Sequence, residues 1–201
     1  MENYYFLGGK NTSPVASAFA PEEIRQMDTV ELIQTLDTVQ KLPFNFKLIK
    51  LTITRKGLIE SSDLTGLKTK WLDYQPNSQA WPLFSERMKN VIEDYLTGKE
   101  GVSWISAFIS GNNEEQTYFI PRFEQPLDVL DKDKTTFVPG TNQIIKPVFS
   151  YSKIKDYSVI FKPEFGNMWK IPSGFYVNEK IKQTVIKDNF TGIVFEKTTV
   201  I

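Results

Sequence analysis

A segment of this chain occurs twice, and the repeat restricts the fold more than any other feature. Ser85-Glu86-Arg87-Met88-Lys89, running on to Thr97-Gly98, returns as Asn178-Glu179-Lys180-Ile181-Lys182, running on to Thr191-Gly192. With one extra residue in the second copy, Glu86, Lys89, Asp94, Thr97 and Gly98 align with Glu179, Lys182, Asp188, Thr191 and Gly192. Ser85 and Asn178 suit a helix N-cap, since their side-chain oxygens can accept the unpaired amide hydrogens of a first turn. Glu86 and Glu179 then sit at the positive end of the helix dipole. Met88, Val91, Ile92, Tyr95 and Leu96 recur at the three-and-four spacing of one buried face, which Ile181, Val185 and an offset Ile186 roughly repeat. Gly98 and Gly192 can take the left-handed conformation that ends a helix. Strand-like lead-ins (Trp81-Pro82-Leu83-Phe84 and Gly174-Phe175-Tyr176-Val177) and an apolar run after each stop predict a strand-helix-strand unit used twice. Two unrelated helices with one capping solution would give the same pattern, and the helices are expected either way.

The rest of the chain reads as short strands with few helices. A strand is expected near Asn3 to Leu7, then a loop from Gly8 to Ala20, then helix, with Pro21 in a first turn and Asp28 and Glu31 spaced as a capping box. Leu32, Ile33, Leu36 and Val39 form its apolar stripe. From Phe44 to Thr54 the apolar alternation changes parity, which predicts a strand with a bulge near Leu48. Arg55 to Ala80 reads as turns around short strands and divides the chain into halves, residues 1–80 and 81–201, within one compact domain. Val102 to Ser110 and Gln116 to Phe123 flank a turn-rich link and predict a hairpin. Gln143 to Ser150 and Tyr157 to Phe161 add strands. The sum is an α+β fold with mostly antiparallel sheet.

Composition narrows the chemistry. The 201 residues contain neither cysteine nor histidine, so disulfides, thiolate or imidazole metal ligands, a cysteine nucleophile and a Ser-His-Asp triad are excluded. Residues 1–100 carry 12 basic and 13 acidic side chains and residues 101–201 carry 12 and 11, without the basic excess of a nucleic-acid binder. The start of the chain does not read as a signal peptide, and no apolar run approaches the roughly 20 residues of a membrane span. A soluble, cytoplasmic protein is expected. Asp128, Asp131 and Asp133 have Lys132 and Lys134 between them and lack the Gly and closing Glu of a calcium loop. Glu114 and Glu115 stand side by side at a turn, whereas a carboxylate hydrolase needs acids across a cleft. Gly8-Gly9-Lys10 lacks the spacing of a phosphate loop. No catalytic, metal or cofactor residue is therefore assigned.

The aromatic side chains near loops supply the candidates for binding. Trp71, Tyr74 and Trp81 lie in or beside the polar middle region, and Phe165 and Trp169 flank Gly166-Asn167. Such residues either anchor interfaces or form small cores beneath long loops. If the chain binds a partner, Trp71, Asp73, Tyr74, Glu164, Phe165 and Trp169 are the expected contact residues. An aromatic loop platform would equally suit a glycan or other small ligand.

Several elements together resemble one family. They are Pro82-Leu83-Phe84-Ser85-Glu86-Arg87-Met88-Lys89, Tyr118-Phe119-Ile120-Pro121 with Leu127-Asp128-Val129-Leu130-Asp131, Val177-Asn178-Glu179-Lys180-Ile181-Lys182, and Phe190-Thr191-Gly192-Ile193-Val194-Phe195-Glu196. They resemble the α+β immunity proteins of bacterial polymorphic toxin systems, namely immunity protein family eleven, with family forty-three a near alternative. The resemblance covers about residues 81–196 and rests on a capped helix start and a Thr-Gly ending. It implies a cytoplasmic, non-catalytic protein that binds a cognate toxin domain and neutralises it; stoichiometric occlusion is the expected mechanism, and no cofactor is expected.

Overall fold

The computed structural model describes residues 2–10, 12–164 and 166–201. In chain order the elements are β1 (Tyr4–Gly9), β2 (Val15–Phe19), α1 (Glu22–Gln26), α2 (Thr29–Thr35), β3 (Phe46–Thr54), β4 (Gly57–Ser61), β5 (Phe84–Ser85), α3 (Glu86–Tyr95), β6 (Val102–Gly111) and β7 (Glu114–Phe123). There follow β8 (Thr136–Phe137), β9 (Ile144–Lys146), α4 (Tyr151–Ile154), β10 (Val159–Phe161), a 3-10 turn (Met168–Lys170), β11 (Phe175–Asn178), α5 (Glu179–Lys187) and β12 (Ile193–Lys197). One sheet has the order β2-β3-β6-β7-β5 with β4 also on β3, and a second has the order β10-β11-β1-β12. All pairs in these sheets are antiparallel except β3 with β6, so the fold is α+β with mostly antiparallel sheet.

The repeated segment folds into one topology twice. β5 and β6 both run antiparallel to β7, which lies between them; β11 and β12 both run antiparallel to β1, which lies between them. Each copy is thus a strand-helix-strand crossover with a foreign strand inserted in its gap. Ser85 Oγ accepts the Met88 amide at 3.2 Å and Asn178 Oδ1 accepts the Ile181 amide at 3.1 Å, so both caps form. Met88 and Ile92 of α3 share one core with Ile181 and Val185 of α5. Burial of four such side chains contributes on the order of 1.5–3 kcal/mol each.

The turns after the helices repeat as well. Gly98 and Gly192 both have positive φ, 81° and 75°. In the first copy one oxygen of the buried Glu100 accepts the Thr97 amide at 3.0 Å and hydroxyl at 2.8 Å. In the second, one oxygen of Asp73 accepts the Thr191 amide at 2.7 Å and hydroxyl at 2.9 Å. The same corner is clamped by a neighbouring carboxylate in one copy and by a distant one in the other.

The six-stranded sheet separates two cores. Ile105, Ala107 and Ile109 of β6 face a core containing Leu32 and Ile33 of α2, Leu36, and Ala16 and Ala18 of β2. Val102 and Trp104, of opposite parity, pack against the core that holds α3, α5 and the four-stranded sheet. Asp28 caps α2, accepting from Val30 and Glu31. Arg122 closes its far end by donating to the carbonyls of Leu36 and Val39 at 3.2 and 2.8 Å.

Two sequence expectations are corrected. The stretch Gly8 to Ala20 is not a loop throughout, since Val15–Phe19 is a strand whose small Ala16 and Ala18 fit under the core. No bulge interrupts β3, whose register with β2 and β4 is unbroken; Leu48 and Ile49 are both buried because the strand is covered on both faces there. Both sheets draw strands from residues 1–80 and from residues 81–201, with β1 beside β11 and β12 and β3 beside β6.

Candidate protein-binding surface

The six residues singled out in the sequence fall into two groups. In the first, Trp71 is half-buried, its ring 6.4 Å from that of Tyr118 and its indole N–H donating to Glu114 at 2.6 Å. Tyr118 is itself fixed by a hydrogen bond from its hydroxyl to the Leu72 carbonyl, and burial raises its pKa. Asp73 accepts hydrogen bonds from Ser85 Oγ and from Thr191, and meets Arg87 at 3.3 Å. Tyr74 is only 8% exposed, packs edge-on against Phe84, and has its phenol pushed up to about 12 by burial. These residues join the middle segment to both repeated units.

In the second group, Trp169 is half-buried on the 3-10 turn and stacks on Phe161. Glu164 accepts from Ser173 Oγ at 2.6 Å and borders a cleft of about 520 Å³ that Ile144, Lys162 and Met168 also line. Phe165 lies outside the described residues. Each described member of the two groups thus has intramolecular packing or hydrogen-bond partners.

A third surface was not singled out in the sequence. The β3–β4 hairpin carries Ile53, Leu58 and Ile59, each 55% exposed. Ile53 pairs with Leu58, so these two point to one side, with Leu51 two residues back, while Ile59 pairs with Thr52 on the other side. On the Ile53 side two adjoining clefts, of about 490 and 410 Å³, share Lys10, Thr12 and Val15 as lining. One includes Lys68 and the other Leu51, Ile53 and Leu58; no carboxylate lines either.

Charge gathers on the same part of the chain. Residues 41–70 hold seven basic side chains against two acidic ones, Glu60 and Asp63, in a protein whose formal net charge is zero. Asp63 is held below the ordinary carboxylate range by hydrogen bonds from Thr65 and belongs to a turn. The signal for this surface was present as Ile53, Leu58 and Ile59 around Thr54-Arg55-Lys56-Gly57. Charge cancels over the halves of the chain, and the Gly, Ser, Asn and Thr residues of 55–80 give that stretch the composition of turns.

No protein-family model matches the chain, and a search of curated proteins finds no match. Among the described residues no helix is long and apolar enough to cross a membrane.

Proposed function

We propose that this chain is a non-catalytic immunity protein that binds a cognate bacterial toxin domain and neutralises it by stoichiometric occlusion in the cytoplasm. The observation that carries the reading is the β3–β4 hairpin, which holds Ile53 and Leu58 in solvent beside clefts that carry Lys10 and Lys68, with Ile59 in solvent on its other side. Exposed apolar residues concentrated in this way mark protein contacts. The resemblance supplies the kind of partner, and its motif residues build the two crossover units that hold the rest of the molecule. Protection at low cellular concentration needs nanomolar affinity, about −12 kcal/mol, which about 800 Å² per partner can provide when a few anchors are well buried.

The test is survival of cells expressing the C-terminal domain of the large protein encoded beside this one, with and without this chain. Rescue with a co-purifying one-to-one complex supports the proposal. A toxic neighbour without rescue or complex counts against this pairing, and binding on a glycan array would then favour the small-ligand alternative.

A further inference from the structure

The β4 strand is an unprotected sheet edge. It pairs with β3 alone, and no backbone hydrogen bond joins it to another element among the described residues. Thr54 and Gly57 close a two-residue turn, so Gly57, Ile59 and Ser61 spend their backbone groups on β3. The N–H and C=O groups of Leu58 and Glu60 therefore point away from the sheet. Natural edges are blunted by proline, inward charges or a covering element. Here the strand is Gly57-Leu58-Ile59-Glu60-Ser61, with no proline and an exposed apolar side chain on each face.

We infer that the outer edge of β4 is where the toxin domain docks, through an extended acidic segment that adds a strand to the sheet. This rests on the immunity reading. Strand addition satisfies the free groups of Leu58 and Glu60 and leaves alternate side chains of the incoming segment facing each side of the sheet. On the Ile53 side those side chains meet Leu51, Ile53 and Leu58, with Lys10 and Lys68 in the adjoining clefts; Glu60, which pairs with Leu51, is exposed on the same side and sets an acid against these two lysines. Neither lysine is in a salt bridge among the described residues. A second copy of this chain is the poorer occupant, because pairing two β4 edges would bring two net-basic segments of residues 41–70 together. An acidic partner reverses the sign of that interaction.

The experiment measures affinity of this chain for the toxin domain tested above, by titration calorimetry at two salt concentrations, with Glu60→Pro, Glu60→Ala and the double variant Lys10→Glu/Lys68→Glu. Proline at position 60 removes an outward N–H that no β3 group uses, so the fold is kept while strand addition is blocked. Glu60→Ala removes the same carboxylate and keeps the N–H. The expected result is that Glu60→Pro binds at least tenfold more weakly than Glu60→Ala. The lysine double variant, whose hairpin is untouched, is expected to lose at least tenfold at low salt and less at high salt. A complex of wild-type strength with both Glu60→Pro and the double variant overturns the docking surface and leaves the immunity reading standing. No complex with the unaltered chain overturns both, and dimerisation of the unaltered chain that Glu60→Pro abolishes assigns the edge to a second copy and overturns the acidic partner.

Discussion

Replacing Asp73 by alanine tests whether this residue is a structural clamp. Its carboxylate is 13% exposed and accepts from the Thr191 amide and hydroxyl and from Ser85 Oγ at 2.7–2.9 Å, with Arg87 at 3.3 Å. Hydrogen bonds to a charged group are worth about 1.5–3 kcal/mol each, but the Thr191 groups lie near the surface and regain water once the acid is gone. A net loss of about 3 kcal/mol follows, at the low end of the cost of breaking a buried ionic network. For a chain of this length that is a fall in Tm of roughly 6–12 °C. Asp73→Asn keeps an acceptor for Thr191 and loses the attraction to Arg87, so its cost is expected near 1 kcal/mol. The assay is urea unfolding followed by tryptophan fluorescence, with Thr191→Val completing a double-mutant cycle. A loss below about 0.5 kcal/mol for Asp73→Ala, or strict additivity with Thr191→Val, would refute the clamp.

Further expectations follow from the same geometry. Gly98→Ala is expected to cost about 1–2 kcal/mol for the left-handed backbone alone, since nothing lies within 4 Å of an added Cβ. Gly192→Ala should cost at least about 1 kcal/mol more, because the Cβ would stand 2.6 Å from the Tyr74 carbonyl oxygen; equal losses in chemical denaturation would contradict the asymmetry. Glu179 is held below the ordinary carboxylate range chiefly by the hydrogen bond from the Tyr5 hydroxyl, aided by Lys182. A lowered folded pKa gives stability that is full above the unfolded value, about 4.3, and lost as pH falls through the folded one. Glu179→Gln should therefore be less stable than wild type at pH 7, with the gap narrowing as pH falls below about 4.3; a gap independent of pH would exclude this origin. Trp71→Phe, which loses the hydrogen bond to Glu114 and keeps most of the ring contact with Tyr118, should destabilise by about 1 kcal/mol, checked by thermal unfolding.

Local chemistry was the legible part of this sequence. The caps at Asp28, Ser85 and Asn178, the positive-φ glycines and the β6–β7 hairpin turning at Asn112-Asn113 are each decided within a few residues, and each forms. What occupies the gap in each crossover was not legible. β7 follows its unit at once, while β1 reaches its unit from the far end of the chain, and no periodicity encodes that pairing. The strand character of Val15–Phe19 was hidden because a strand that must slip beneath a core uses small residues, and these look like loop. At the candidate sites, aromatic content located Trp71, Tyr74 and Trp169 but gave no indication that other rings and hydrogen bonds already engage them. The β3–β4 surface depends on which apolar residues lack neighbours, a property of the assembled sheet.

The position of β1 has a consequence for biosynthesis. Tyr5 pairs with Val177 on one side and Lys197 on the other, so both pairings of β1 in the second sheet join opposite ends of the described chain, while β10 with β11 is local. During translation β1 is made early and waits with both edges open until β11 and β12 have been made. Long-range pairing of this kind slows folding and prolongs exposure to aggregation. Synthesis that stops before β11 would leave β1 without either strand partner and Tyr4 and Leu7 without Phe175, Val177, Ile181 and Val185 of their core, a ready substrate for chaperones and proteases.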